Sequence, residues 1–518
     1  MSTATNATRF RIHPDRAEFR RRADAGNLIP VWVEVFADQE TPVSAYERVR
    51  AVLRQRDRAS HTFLLESVEG GERVGRYSFI GGKPRAILRA WGRRVVVQHE
   101  DGSRSTIPDA DPLDALRAFM SRYRPVPDDR LPPFIGGAVG FLGYDAVAVF
   151  EPTVPVRHDR ALRAPDMVFM ITDTLLVFDR VRHTLRIIAN AWIRDGEDPD
   201  AAYDGAVRAI EAMASALLAP LPHELTDVHP PVEGLTPCSA MARAEFEAAV
   251  RRAQDYIRAG DVIQVVLSQR VEVDFYGDSV DVYRALRWVN PSPYMFLLDL
   301  GDSAMVGSSP EIHVRLDHGH AEIRPIAGTR PRSEDPFEDE RLGRELLSDP
   351  KERAEHIMLV DLARNDLGRV CTSGSVRVPE LMVIERYSHV MHIVSEVVGQ
   401  LAPGRDAYDL MRATFPAGTV SGAPKIRAMQ IIAELEASRR GPYAGAVAYF
   451  SFDGNLDSCI TIRTLILDEG RAYVQAGAGV VADSDPGREY EETCNKARAL
   501  LYALAMSRAF RSGRPPPA

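Results

Sequence analysis

Two short stretches, KERAEH at 351–356 and REYEET at 488–493, each hold two glutamates three residues apart: Glu352 with Glu355, and Glu489 with Glu492. On a helix, positions i and i+3 share a face, so each stretch would project two carboxylates in one direction. Two such faces turned toward each other would suit a hard divalent cation, which prefers carboxylate oxygens. Taken alone, such pairs are ordinary solvated surface, and the chain has 73 acidic residues to supply them. On the second helix Lys496 follows at i+7 from Glu489, on the same face, where an ion pair with Glu492 is the plain expectation.

Several turns elsewhere in the sequence could receive an anion. TFPAGTVSGAPKIRAM lacks the spacing of a P-loop, yet Gly418, Thr419, Gly422 and Lys425 offer backbone donors, a hydroxyl and an ammonium ahead of a helix. HAEIRPIAGTRPR offers a second such turn at Gly328 and Thr329, and AGAGVV, with Gly477 and Gly479, is either a close strand crossing or a place where backbone approaches an anion. Arg463 lies in the apolar run SCITIRTLIL, where a buried guanidinium needs a carboxylate, from the protein or from a substrate. His389 and His392 in RYSHVMHIVS are core histidines or, beside carboxylates, proton carriers. No nucleophile elbow, Walker or dinucleotide fingerprint is present. Together the residues describe an enzyme that handles a small polyanionic substrate with Mg2+.

The elements that must carry these groups are helices and antiparallel strands. RAEFEAAVRRAQDYIRAGD places Phe246, Ala249, Val250, Ala253 and Ile257 on one helical stripe that stops at Gly260, and the strand VIQVVLSQRVEV follows at once. Further strands are expected at YMFLLDL, SAMVGS, HAEIRPIAG, GAVAYFSFD, SCITIRTLIL and RAYVQAGAGVV. In the N-terminal part, MVFMITDTLLVF reads as a buried strand interrupted at Asp173, and DRVRH as a hairpin connection. The class is α+β, with large antiparallel sheets flanked by helices. The expected organisation is a loose N-terminus at 1–25, an N-terminal domain at 26–216, a proline-rich connection at 217–240, a second domain at 241–508 and a disordered tail at 509–518.

The 518 residues are 45% hydrophobic and 26% charged, as expected for a soluble globular chain of more than one core. A net charge of −9 and a pI near 5.9 give no broad basic face for nucleic acid. Cys238, Cys371, Cys459 and Cys494 are far apart and lack metal spacing, as in a reducing compartment. The start, MSTATNATRFRIHPDR, has no apolar segment of a secretory signal, and no run approaches membrane-spanning length, so a cytoplasmic location with no membrane association is expected.

Eight ordered blocks carry a resemblance that no single turn could. LLES at 64–67, GRYSFIG at 75–81, GDVIQVVLSQR at 260–270, NPSPYMF at 290–296, PIAGTRPR at 325–332, EHIMLVDLARND at 355–366, GTVSGAPK at 418–425 and ETCNKARA at 492–499 resemble the anthranilate synthase component I family of chorismate-utilising enzymes. The resemblance spans nearly the whole chain. It implies an α/β/β/α sandwich with two large antiparallel sheets, and conversion of chorismate and ammonia to anthranilate and pyruvate with Mg2+, the first committed step of L-tryptophan biosynthesis.

By resemblance, Glu355 and Glu492 hold the metal directly, and Glu352 and Glu489 do so through water. Gly328, Thr329 and Thr419 contact the ring carboxylate, while Arg463, Tyr443 and the backbone at Gly477 and Gly479 hold the enolpyruvyl carboxylate. Glu311 in GSSPEIH matches the acid that protonates the departing C4 hydroxyl, and His392 the histidine of the pyruvate-elimination half. Lys496 orients the substrate carboxylate or the metal ligands. Gln264 stands where isochorismate and salicylate synthases carry a water-activating lysine, so ammonia is expected as the nucleophile; Ala327 stands where aminodeoxychorismate synthases often carry lysine, and with GTVSGAPK it favours anthranilate over aminodeoxychorismate. Glu66, Ser67, Arg76, Tyr77, Pro293, Tyr294 and Met295 match the family's tryptophan feedback pocket, with Val74 where the family often has tryptophan. No glutaminase domain is recognisable, so a separate glutamine amidotransferase subunit is expected to deliver ammonia within a hetero-oligomer. The other readings are an aminodeoxychorismate synthase and a tryptophan-binding regulatory protein with a decayed catalytic site.

Overall fold

The structure is a computed structural model that describes residues 10–510 apart from 57–60, 68–74, 156–163, 222–226, 228–234, 236 and 388–389. Val74, His389 and most of the 217–240 connection therefore lie outside the described residues. Two 12-stranded sheets dominate, and their ladders are antiparallel. The first runs from Leu28–Phe36 through Thr184–Trp192, Thr174–Asp179, Tyr77–Gly82 and Thr62–Glu66, then continues through Tyr294–Asp299, Ser303–Ser309, Thr464–Asp468, Arg471–Val480 and Gln264–Asp274. The second runs from Ile326–Pro331 through Val390–Gln400, His320–Ile323, Ile312–Asp317, Leu456–Ile460 and Ala446–Ser451 into Gly137–Leu142, Met167–Thr172, Ala86–Trp91, Arg94–His99 and Arg104–Ile107. Each sheet is thus shared between the chain before Leu217 and the chain after Ala240. The seams are ladders that pair Glu66 with Met295 and Phe141 with Val447.

Burial explains the layering. Phe63, Phe79 and Phe296 of the first sheet meet Phe141, Val168 and Tyr449 of the second in one buried cluster between the sheets. The outer face of the first sheet is covered by the helices Pro42–Arg56, Pro199–Leu217, Ser279–Val289 and Pro486–Ala509. Pro112–Met120, Pro350–Gly368 and Ala407–Thr414 pack over the second. This is the expected α/β/β/α sandwich. The stripe after Met241 forms the helix Arg243–Arg258, with Phe246, Val250 and Ala253 buried and Gly260 at a φ of 85° just past its end. The DRVRH turn joins a hairpin in which Asp179 faces Thr184.

Two apolar runs differ from expectation in an instructive way. SCITIRTLIL is two strands, Leu456–Ile460 in the second sheet and Thr464–Asp468 in the first, and Arg463 sits at the crossing with a φ of 51°. MVFMITDTLLVF is likewise Met167–Thr172 and Thr174–Asp179 in different sheets, joined at Asp173. A run buried on both faces reads the same whether it stays in one sheet or changes to another, so hydrophobicity alone does not mark the crossing. Ser303–Ser309 and Ile312–Asp317 make the same change of sheet through Glu311.

Candidate active site

The two crossings are stitched together: Ile460 N–H donates to the Glu311 carbonyl at 3.0 Å, and Ser308 N–H to the Arg463 carbonyl at 3.1 Å. Glu311 and Arg463 therefore owe their positions to a change of sheet, not to a strand interior. Both acid pairs lie on helices as expected. Asp349 caps the Pro350–Gly368 helix, accepting from Lys351 N–H at 3.0 Å and Glu352 N–H at 3.4 Å, with Pro350 at its first position. Asp485 caps Pro486–Ala509 by accepting from Arg488 N–H at 2.8 Å. Each cap, worth about 1 kcal/mol, fixes the first turn from which a glutamate pair projects.

Contacts connect the remaining residues into one network. Gln264 Nε2 donates to Glu355 Oε1 at 3.3 Å. Lys496 Nζ reaches Glu492 Oε1 at 2.6 Å and the Gly477 carbonyl at 2.9 Å. A Cβ on Gly477 would stand 2.7 Å from the Tyr443 hydroxyl, and one on Gly479 2.6 Å from Gln264 Nε2, so these glycines make room for site side chains. Gly328 has a φ of 66°, and a Cβ there would meet Glu352 Oε2 at 2.9 Å. His392 Nδ1 lies 2.8 Å from the Gly328 carbonyl and 3.1 Å from Thr329 Oγ1. A carbonyl only accepts, so Nδ1 carries the ring proton and Nε2 is the basic nitrogen.

The electrostatics are those of a site short of positive charge at one end and of negative charge at the other. Burial raises the Glu355 carboxyl above its usual range, and the charges of Glu352 and Glu492 add to the shift. Glu489 is raised by burial too, with Glu492 adding. Burial lowers Arg463, opposed by Tyr443 and Glu492, and among the described residues no carboxylate pairs with its guanidinium. Tyr443 is pushed up to about 12, mainly by burial. His392 is lowered by burial, with Arg463 adding. Burial raises the Glu311 carboxyl to about 8, against the pull of the Thr419 hydroxyl and the Lys496 ammonium. It is an acid at neutral pH.

The acid pairs are close enough to feel one another, but among the described residues no three acidic, histidine or cysteine side chains converge tightly enough to share an ion as they stand. Glu492 is held by Lys496 and Glu355 by Gln264, while Arg330 Nη1 lies 3.5 Å from Glu352 Oε1. Arg330 was not singled out by its sequence, although it directly follows Thr329. Tyr387, whose ring centroid lies 5.7 Å from that of His392, was also missed.

A second site lies between the sheets. Glu66, Ser67, Arg76, Tyr77, Pro293, Tyr294 and Met295 all line one cavity, joined by Arg315 and Asp457. The pairing of Glu66 with Met295 across the seam brings the two sequence blocks together. Glu66 is not free for a ligand: its carboxylate accepts from Tyr283 at 2.8 Å, from Arg287 at 3.0 Å and from Arg180. Tyr294 donates to Asp457 at 3.0 Å and accepts from Arg315 at 3.1 Å. Arg315 and Asp457 carried no motif signal, because their partner Tyr294 is distant in sequence.

The chorismate binding enzyme family matches residues 61–502. The chain belongs to that family. Within it, the chain is 49% identical over 510 residues to anthranilate synthase component 1 of Synechocystis, covering 95% of this chain and 99% of that one. It is 46% identical to anthranilate synthase component 1 of Aquifex aeolicus, with 95% and 97% covered. The crystal structure of anthranilate synthase component I from Streptococcus pneumoniae superposes with a TM-score of 0.74 at 36% identity, covering 90% of this chain and 99% of that one. A menaquinone-specific isochorismate synthase from Escherichia coli matches at 0.66 with 19% identity, covering 92% and 94%, which shows a shared fold only. This chorismate-binding enzyme therefore groups with the component 1 branch. Among the described residues no helix is long and apolar enough to cross a membrane.

Proposed function

We propose that the chain converts chorismate and ammonia to anthranilate and pyruvate, as the chorismate-binding subunit of an anthranilate synthase. The observation that carries this reading is the Arg463 guanidinium beside Tyr443, which pairs with no carboxylate among the described residues, set in one network with the glutamate pairs and a protonated Glu311. A substrate with two carboxylates suits both ends. One meets Arg463 and Tyr443 at the Gly477–Gly479 strand, and the ring carboxylate reaches Gly328, Thr329 and Thr419 near the acid pairs.

Glu355 and Glu492 would hold Mg2+, with Glu352 and Glu489 behind them through water; hard oxygen donors and mutually repelling carboxylates, Glu355 and Glu489 half-buried and Glu492 exposed, fit that ion. Bound there, the ion would neutralise the ring carboxylate and the acids around it. Glu311 gives its proton to the C4 oxygen, which departs as water. Gln264 has no basic amine to activate water, so ammonia, already nucleophilic when neutral, is the favoured attacker. His392 offers Nε2 to accept the ring proton as pyruvate leaves. Lys496 and Gln264 orient Glu492 and Glu355. A partner amidotransferase subunit would supply ammonia from glutamine, and tryptophan in the inter-sheet cavity would inhibit as the pathway's end product.

Chromatography of the products decides the reading. With chorismate, ammonium and Mg2+, anthranilate and pyruvate are expected in equal amounts; aminodeoxychorismate alone, or no turnover, would overturn it. Arg463→Met should raise the chorismate KM by about a hundredfold, matching the ~3 kcal/mol of a charge-assisted contact. In the regulatory cavity, Tyr294→Ala should raise the tryptophan concentration for half inhibition about tenfold or more. Its uninhibited kcat should stay near that of the parent, as steady-state assays across tryptophan concentrations will show.

A further inference from the structure

Glu311 stands just before the strand Ile312–Asp317 and His313 lies inside it, where the ladder with Leu456–Ile460 shifts register between Ile312 and Val314. Glu311 and His313 both line one small cavity, whose other walls include Asp366, Thr414 and Thr419. Its volume is about 30 Å³, where a single water needs roughly 10–15 Å³. Two polar atoms of these wall residues, His313 Nε2 and Thr419 Oγ1, are buried and complete no hydrogen bond of good geometry among the described residues, although the Thr419 hydroxyl is near enough to the Glu311 carboxyl to lower it. Each such atom costs roughly 1–3 kcal/mol if left unpaired.

The hydrogen bonds around His313 say which kind of partner is wanted. Its Nδ1 lies 3.2 Å from Ser458 Oγ, and that hydroxyl gives its own proton to the Val314 carbonyl at 2.7 Å. Ser458 can then only accept from the ring, so Nδ1 carries the proton and Nε2 is a bare acceptor. The Thr414 carbonyl, which accepts from Lys425 Nζ at 3.1 Å, also lies close to the ring and favours its protonated form. The ring is neutral: burial lowers it to about 3, and the Lys425 ammonium adds to the effect. Lys425 is itself paired with Asp366 at 2.8 Å, so the charges beside the cavity cancel. Water is a neutral donor of the right size.

We propose that this cavity holds one or two ordered waters that tie His313 Nε2 and the Thr419 hydroxyl to the Glu311 carboxyl, and that His313 is thereby the positioning residue that orients this acid. The role rests on the reading of Glu311 as the proton donor; the hydration does not. A water that donates to the carbonyl oxygen of the neutral carboxyl leaves its O–H aimed at the leaving group. A neutral donor stabilises the ionised carboxylate less than a cation in its place would, so the acid keeps more of its raised proton affinity.

A high-resolution crystal structure of the full chain should show water density bridging His313 and Glu311. In assays with free ammonium, His313→Leu should lower kcat by about ten- to a hundredfold, as expected for a misoriented catalytic group, with the chorismate KM nearly unchanged. The alkaline limb of its pH–rate profile should move. His313→Asn, which keeps a polar atom at the cavity, should restore most of kcat and the parental limb. An empty cavity, a His313→Leu variant with parental kcat and limb, or an asparagine variant as impaired as the leucine variant would each overturn the proposal. Water is read from structure without turnover, so a parent that makes no anthranilate defeats the functional reading and leaves the hydration standing.

Discussion

Glu355→Gln is expected to lower anthranilate formation at least about a thousandfold while leaving the protein as stable as before, or more so. Burial, together with Glu352 and Glu492, raises the Glu355 carboxyl above its usual range, so the ionised form is penalised in the folded chain. A glutamine of the same shape removes that penalty and can still meet Gln264, which stands 3.3 Å away. The melting temperature should hold or rise as activity disappears, the pattern of a residue kept for function at the expense of stability. Glu492→Gln should be equally inactive. In the parent, Mg2+ half-saturation should rise as the pH falls, because protons compete for the same oxygens. Near-parental rates in either variant, by anthranilate fluorescence at saturating Mg2+, would remove these glutamates from the metal site.

Glu311→Gln is expected to cost about a hundred- to ten-thousandfold in kcat, the usual range for a lost general acid, with chorismate binding changed only a few-fold. The parental pH profile carries the sign of the argument. Burial raises Glu311 to about 8, so the group is protonated and active below that pH, and the rate falls as the pH rises through it. Measured at constant free ammonia, kcat of the parent should show this alkaline limb, and the glutamine variant should lack it. A parent with no limb near pH 8, or a variant that keeps it, would assign the proton to another group.

The elements were accessible from sequence where one periodicity was in play. The stripe from Phe246 to Ile257, the hairpin at DRVRH and the two helices bearing the acid pairs appear as the pattern implied. What escaped was the change of sheet at Asp173 and Arg463, since a run buried on both sides has the same composition on either side of a crossing. Site assignments divide similarly. The spacing of Glu352 with Glu355 and of Glu489 with Glu492 required only a helix, whereas the choice of Glu355 and Glu492 as inner ligands came from resemblance. Arg315, Asp457, Arg330 and His313 gained interest only from what folding sets beside them, namely Tyr294, Glu352 and Glu311.

The central claim is that this chorismate-binding enzyme adds ammonia and releases pyruvate at a Mg2+ site. Its most direct test is anthranilate fluorescence from the purified chain with chorismate and ammonium, before and after removal of divalent cations by a chelator. Turnover that vanishes with the chelator and returns with Mg2+ is the expected result. Turnover that persists without divalent cation, or no anthranilate with Mg2+ present, would contradict it.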